Sequence, residues 1–377
     1  MKIALVHDYI KEYGGAERVL EALHEIWPNA PIYTSVYLSE FLGPHKERFK
    51  NWNIKTSWLQ FLPLKSKLIS PIRLIAPFVF KQFNFSQFDI LIVSATGAYL
   101  PNSISCHPDI GKGTVHICYC HTPPRYLYGF ATARDWKKNI IFRVIGEIGN
   151  HFLRLVDYES AQNVDYFIAN SKNVAGRITK FYRRDSTVIY PPVEMNQESR
   201  IKNQGENDYY LAGGRVARPK NIDLVVKTFV KLGLPLKIFG RAFAGHDPSF
   251  MVHNSNVQFL GEVGDEEKME LMRNAKAFVF AGEDEDFGIT PVEAMGVGTP
   301  VIAFASGGVL ETIIDGKTGV LYRFNNLNRL SEAVHKFEKM KFDRESIIKH
   351  AQKFSRERFK KEIELAVTEA LRSSRKN

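Results

Sequence analysis

The 377-residue chain has no apolar run of the length needed to cross a bilayer, which excludes reading any stretch as a transmembrane helix. Its opening, Met1-Lys-Ile-Ala-Leu-Val, reads as the start of a strand rather than as a secretory signal. Cysteine is scarce: three residues, an odd number, argue against a disulfide framework and for a reducing cytoplasm. Internal repeats and low-complexity tracts are missing, so neither a solenoid nor a long disordered tail is expected. Nothing matches G-x(4)-G-K-[ST], which excludes a Walker P-loop. Acids are outnumbered, 41 against 51 Lys and Arg. The resulting formal charge of +10 implies an anionic partner: a phosphate ligand, an acidic lipid surface or nucleic acid. With 44% hydrophobic and 24% charged residues, the rest is ordinary globular material. The length predicts two domains or three, each able to bury its own core.

One stretch organises what is present. Residues 277–280 are a short apolar run and read as a buried strand. Four acids follow, Glu283-Asp-Glu-Asp286, in a turn that opens at Gly282. Residues 288–297 read as a helix with Pro291 in its first turn, and Thr299-Pro300 stops it before a strand at 301–304. Glu285 lies in the turn, and Glu293, seven residues intervening, about one turn into the helix, so both can face one crevice. The free N–H groups of Gly288, Ile289 and Thr290 can receive a phosphate there. Carboxylates suit sugar hydroxyls because they accept charge-assisted hydrogen bonds. By spacing alone, an acidic turn with a helix-capping Glu explains the pair equally well.

Upstream, a strand at 208–212 leads into Gly213-Gly-Arg-Val-Ala-Arg-Pro-Lys220, and Asn221 caps or begins a helix running to about residue 232. Arg215 and Lys220 are two cations beside a helix N-terminus. They form either a diphosphate clamp or a pair of solvated surface charges. Further strands at 236–239, ending in Gly240-Arg241, and at 257–260, before Val263, alternate with helices. The alternation from 208 to 322 defines a doubly wound domain. Ser306-Gly-Gly308 is another Gly-rich strand exit; amphipathic helices are expected at 327–337 and 344–354, and a charged one at 355–371.

The first half follows the same rhythm. A strand at 2–7 leads through a loop to Gly14-Gly15, which opens a helix over 16–26 with Val19, Leu20, Leu23 and Ile26 on one face. Strands are expected at 31–37, 88–94 and 114–120, the last ending at His121-Thr-Pro-Pro-Arg-Tyr-Leu-Tyr128. His116, Cys118 and Cys120 share one strand face but sit too far apart for one zinc ion. His121 ends a strand just before a rigid turn, a position that catalytic residues occupy in α/β sheets. Residues 45–88 carry eight cations (Lys46, Arg48, Lys50, Lys55, Lys65, Lys67, Arg73 and Lys81) against one acid, Glu47, with aromatic residues between them. That pattern fits an anionic membrane surface or a packed helix pair with a solvated basic face. A long helix is expected over 139–163, with an apolar stripe of Ile141, Val144, Ile145, Ile148, Phe152 and Leu155. A strand at 164–170 ends in Asn170-Ser171, where Ser171 can cap the next helix. A last strand at 186–190 reaches Pro191-Pro192.

The segment GEDEDFGITPVEAMGVGTPVIA with its E-x7-E, the G-R-x(4)-K pattern from Gly214, HTPPRYLY and the Gly14-Gly15 loop together resemble retaining glycosyltransferase family 4. The resemblance implies an α/β GT-B architecture: two Rossmann-like doubly wound domains facing a central cleft. Residues 1–192 are then the acceptor-binding domain, 193–207 a linker, 208–354 the nucleotide-sugar domain, and 355–377 a helix crossing back to the first domain with a frayed end from Ser373. It implies a hexosyltransferase that moves sugar from a nucleoside-diphosphate donor, UDP-glucose ahead of GDP-mannose, to an acceptor hydroxyl in surface polysaccharide or lipid-linked glycan synthesis. Arg215, Lys220, Gly15, Gly288, Ile289 and Thr290 would hold the diphosphate and Glu293 the ribose. Gly240, Arg241 and Val263 would meet the base. His121 and Glu285 would act at the transferred sugar, and Gly14, Gly15 and Arg125 would lie on the acceptor side. No metal or other cofactor is expected, because cations and helix-end N–H groups can neutralise the leaving diphosphate. A cytoplasmic location is expected, peripheral on the inner face of the membrane, with no nucleic-acid partner. A non-catalytic nucleotide-sugar binder or scaffold, or a nucleotide-sugar epimerase, would share the fold.

Overall fold

The computed structural model describes residues 1–63, 72–106, 114–132, 140–195, 208–241 and 256–374. Lys65 and Lys67 of the basic stretch, Asn139 at the expected helix start, most of the expected linker (196–207) and the end of the chain (375–377) lie outside the described residues.

The chain forms two units. One comprises Met1–Phe130, Trp136–Pro192 and Glu357–Asn377; the other is chiefly Val193–Arg356. In the first, the elements are β1 (Ile3–His7), α1 (Gly15–Ile26), β2 (Ile32–Thr34), β3 (Ile54–Thr56), α2 (Ala76–Phe80), β4 (Ile90–Ala95), β5 (Val115–Cys120), α3 (Ile140–Gln162), β6 (Tyr166–Ala169), α4 (Lys172–Tyr182) and β7 (Thr187–Val188). These strands make a seven-stranded sheet in the order β3-β2-β1-β4-β5-β6-β7, and the recorded pairings between them are parallel. Strands β1 and β4 are buried along their whole length, as their unbroken apolar runs require in a sheet covered on both faces. The period of two sends Ala4 and Val6 into one core layer and Ile3 and Leu5 into the other.

The second unit continues with β8 (Tyr210–Gly213), α5 (Ile222–Leu232), β9 (Leu236–Phe239), β10 (Val257–Gly261), α6 (Asp265–Arg273), β11 (Phe278–Phe280), α7 (Ile289–Gly296), β12 (Val301–Phe304), α8 (Val309–Thr312), β13 (Gly319–Tyr322), α9 (Leu327–Glu338) and α10 (Arg344–Ala351). Its sheet runs β10-β9-β8-β11-β12-β13, again with parallel pairings. The last helix, α11 (Arg356–Ser374), belongs to the first unit from Glu357 on. Phe359 and Ile363 join Val19, Leu20 and Leu23 in one core layer, and Arg358 Nη2 donates to the Tyr190 carbonyl at 2.7 Å. The helix continues to Ser374, past the expected fray point.

Elsewhere too the local structure bears on the sequence expectation. The strand expected at 31–37 pairs only over Ile32–Thr34. In the described part of 45–88 lie short 3-10 turns, β3 and the five-residue α2; residues 64–71, on which the expected helix pair depends, lie outside the described residues. Pro44 and Pro77 stand in the first turns of a 3-10 turn and of α2, where the missing N–H is tolerated. Asn221 begins α5 from the N-cap position, as expected, but does not cap it with its side chain. It sits in the left-handed region at φ +49° and donates Nδ2 to the Ala281 carbonyl at 3.1 Å.

Candidate active site

Each sheet reverses its strand order once beside its first strand, between β1 and β4 and between β8 and β11. Loops at the carboxyl ends of strands flanking such a reversal form the ligand crevice of an open parallel sheet. Gly14 and Gly15 follow β1, Arg215 and Lys220 follow β8, and Glu285 and Gly288 follow β11, at these two places; His121 and Arg125 follow β5, Gly240 and Arg241 β9, and Val263 β10, one or two strands further out.

In the second unit, β8 exits through Gly213-Gly214-Arg215 and β9 through Gly240-Arg241. The two exits touch. Gly214 N donates to the Phe239 carbonyl (3.2 Å) and Val216 N to the Arg241 carbonyl (3.1 Å). A Cβ on Gly240 would lie 1.8 Å from the Gly214 carbonyl oxygen, so only glycine fits. Gly240 N in turn donates to the Gly261 carbonyl at 2.6 Å, bringing the loop that holds Val263 alongside. A Cβ on Gly214 would stand 3.7 Å from Thr290 Oγ1, so the Arg215 turn abuts the start of α7. No side chain caps that helix, which follows Gly288 at φ +89°. Its first N–H groups lack intrahelical partners and carry the positive end of the helix dipole.

The acidic turn is held from several sides. Glu283 N donates to the Pro219 carbonyl (2.9 Å) and Asp284 N to Ser306 Oγ (3.1 Å), while Gly308 N donates to the Glu285 carbonyl (2.8 Å). Asn325 Nδ2 donates to Glu283 Oε1 at 3.0 Å. Lys220 Nζ, lying 4.9 Å from the Phe280 ring centroid, donates to Glu285 Oε2 at 2.5 Å. The two side chains are 26% and 19% exposed, so water screens the pair only in part. The structure thus places the expected diphosphate cation directly against the expected sugar carboxylate. Glu293 meets a partner that the sequence reading missed: Lys268 Nζ on α6, at 2.9 Å, which also donates to Asp265 Oδ1 at 3.3 Å. The Glu293 side chain is only 5% exposed and needs that ammonium nearby.

In the first unit His121 is 9% exposed, and its Nε2 lies 2.9 Å from Ser94 Oγ. Ser94 Oγ lies 3.1 Å from His7 Nδ1, and His7 Nε2 is 3.6 Å from Glu17 Oε1. The other Glu17 oxygen accepts the Gly14 N–H at 2.9 Å. A serine hydroxyl accepts from one ring and donates to the other. One buried polar row therefore runs from the Gly14-Gly15 loop to His121. Burial, and secondarily His7, push the His121 pKa down to about 3, so the ring is neutral at physiological pH. Asp8, fully buried, accepts N–H groups from Thr96 (2.5 Å) and Tyr99 (2.7 Å); burial nevertheless raises its pKa. Loop 96–99 is pressed onto the segment after His121: a Cβ on Gly97 would meet the Thr122 carbonyl at 2.8 Å. Arg177 Nη1 donates to Thr122 Oγ1 (3.0 Å), and the guanidinium lies 4.1 Å from the Phe130 ring centroid. Arg125 is half-buried, and its carbonyl accepts from Phe130 N at 3.1 Å. Ser171 caps α4 by accepting from Val174 N at 3.1 Å. His7, Asp8 and Ser94 carried a signal that went unread: polar residues ending otherwise apolar strands, IALVHD and ILIVSAT.

Two parallel-sheet Rossmann-like units, with Gly-rich loops after the strands at the reversal of each sheet, define a protein of the GT-B class. Residues 13–197 match the model of Glycosyltransferase Family 4, and residues 194–354 that of Glycosyl transferases group 1. The chain belongs to this glycosyltransferase family. It is similar to an uncharacterised glycosyltransferase of Methanocaldococcus jannaschii, 30% identical over 175 residues, covering 46% of this chain and 49% of that one. The alpha-1,3/1,6-mannosyltransferase ALG2 of Kluyveromyces lactis is 24% identical over 376 residues, covering 83% of this chain and 71% of its own. The first of these matches spans about half the length of the relative, and the match to ALG2 of Dictyostelium discoideum 64%. Among solved structures, Anabaena HepE in complex with UDP has a TM-score of 0.70 at 17% identity, covering 98% of this chain and 100% of its own. The lipopolysaccharide outer core galactosyltransferase WaaB has a TM-score of 0.67 at 17% identity, covering 98% and 99%.

Proposed function

We propose that the protein is a retaining hexosyltransferase that moves a sugar from a nucleoside-diphosphate donor to a hydroxyl of a surface-polysaccharide or lipid-linked glycan acceptor. The observation that carries this reading is the gathering at the β8/β11 reversal of three features: the Gly214-Arg215 turn, the uncapped start of α7 and the Lys220–Glu285 pair.

In this reading Arg215 and Lys220 take the two phosphates together with the N–H groups of Gly288, Ile289 and Thr290. They stabilise the negative charge that builds on the diphosphate as the glycosidic bond breaks. Lys220 carries three donors and gives one to Glu285, so the same ammonium can bridge carboxylate and phosphate. Glu285 accepts from a sugar hydroxyl, and Glu293, held in place by Lys268 Nζ, accepts from the ribose. Gly240, Arg241 and Val263 face the base. His121, neutral and oriented by Ser94 through Nε2, offers its other ring nitrogen to the sugar without setting a positive charge beside a cationic anomeric carbon. Gly14, Gly15 and Arg125 serve the acceptor. Charge neutralisation comes from these groups, and no metal is required.

The sequence reading put UDP-glucose ahead of GDP-mannose. The mannosyltransferase names of the curated relatives support a mannosyl donor, and UDP in the HepE structure supports a uridine one, so both stay in the reading. The proposed location is cytoplasmic, at the inner membrane face where lipid-linked acceptors lie. A thermal-shift screen of UDP, GDP, ADP and their sugars, with and without a chelator, tests the reading. One nucleotide family is expected to raise Tm whether or not chelator is present. Arg215→Ala with Lys220→Ala is expected to weaken that nucleotide at least a hundredfold. Unchanged affinity in the double variant would overturn the assignment.

A further inference from the structure

The amphipathy of α3 is inverted. Its inner side buries Asn150, Asp157 and Ser160 beside Leu153. Asn150 Nδ2 donates to the Tyr126 carbonyl (3.5 Å), Arg154 Nη1 to the Leu127 carbonyl (3.0 Å), and Tyr128 Oη to Asp157 Oδ2 (2.8 Å). The helix thereby grips the segment that follows His121. Its outer side carries Ile140, Val144, Ile145, Ile148, Phe152 and Leu155, each between 51% and 71% exposed. A helix meant for water shows the opposite arrangement. From residue 140 to 155 this stripe is about 22 Å long, at roughly 1.5 Å per residue.

The stripe is extended by another part of the chain. Leu74 and Phe78 are 53% and 66% exposed. Leu74 packs on α3 at Gly149, where a Cβ would lie 2.8 Å from Leu74 Cδ2. A contiguous apolar surface of this kind marks an interaction site. Its surroundings are cationic. Arg143 is exposed on α3, and Lys81 Nζ lies 5.9 Å from the Phe78 ring centroid. Lys137 and Lys138 precede the helix in sequence, outside the described residues. Glu147 on the helix flank is paired with Arg154 at 3.9 Å. A twofold dimer through this face would set the basic rim against itself, whereas an anionic lipid surface complements both rim and apolar stripe.

We propose that the outer face of α3, with Leu74 and Phe78, is a docking surface for an anionic phospholipid bilayer, on which the helix lies in the interfacial plane. The surface gives the lipid-linked-acceptor reading its physical basis and deepens that reading, yet it is measured without donor or acceptor. Full-length protein is floated with vesicles of phosphatidylcholine alone and with vesicles containing phosphatidylglycerol. Ile148→Asp with Phe152→Asp is compared with wild type, and Arg143→Glu serves as a second variant that leaves the apolar stripe intact. Expected results are flotation that needs phosphatidylglycerol and weakens with salt, a drop of at least tenfold in the Asp double variant, and a smaller drop in Arg143→Glu. The nucleotide-induced Tm shift should be unchanged in both. Wild-type flotation on neither vesicle, or equal flotation of wild type and double variant, would overturn the proposal. So would a wild-type dimer in light scattering that the double variant dissociates while vesicle binding stays unchanged. Loss of nucleotide binding in wild type with intact flotation would sink the transferase reading and leave this surface standing.

Discussion

Lys268 meets Glu293 across 25 positions of sequence, α6 to α7, at 2.9 Å. Glu293 itself was legible, because its spacing from Glu285 is local. Its partner was not, because a tertiary contact has no sequence period. Lys268→Met leaves a nearly buried carboxylate without its ammonium. Stability is expected to fall by about 1–3 kcal/mol in urea unfolding, and nucleotide affinity about tenfold, near 1.4 kcal/mol. A variant as stable and as tightly binding as wild type would remove the residue from the site. Asp157 gives a pH signature. Burial raises its pKa to about 7 against 3.8, with the Tyr128 and Tyr182 hydrogen bonds pulling the other way. Folding therefore favours the neutral carboxyl: its contribution is complete below the unfolded value and is lost as pH rises through the folded one. The unfolding free energy of Asp157→Asn relative to wild type should rise with pH between about 4 and 7, at up to ~1.4 kcal/mol per unit. His116 and His121, held neutral with pKa values lowered to about 3, oppose that trend in both proteins and cancel in the difference. A flat difference between the two proteins would show that Asp157 is ionised throughout.

Elements and turns follow the hydrophobic period wherever the chain stays covered. Strands β9 and β12 and the start of α9 fall where alternation and capping predict them. Periodicity does not say which medium an apolar stripe faces, and α3 shows the consequence: its stripe reads like a packing face and looks outward. The Gly-rich exits were visible as turns, but their closeness was not. A Cβ on Gly307, already at φ +63°, would lie 2.1 Å from the Glu285 carbonyl oxygen. Gly307→Ala is expected to cost about 3 kcal/mol or to push the acidic turn aside. In both cases nucleotide-dependent stabilisation in calorimetry should shrink. A variant with wild-type Tm and an unchanged nucleotide shift would refute that contact.

For the whole molecule, the sequence alone determined two α/β halves, their strand-and-helix rhythm and the family motifs. Each of these is written in residues a few positions apart, where steric and hydrophobic preferences act locally. Tertiary structure alone decided that Lys220 lies on Glu285, that Ser94 joins His7 to His121, and that α11 shares a core layer with α1. It also decided that α3 turns its aliphatic side outward. These facts depend on which distant surfaces exclude water from one another, and a linear pattern carries no record of that.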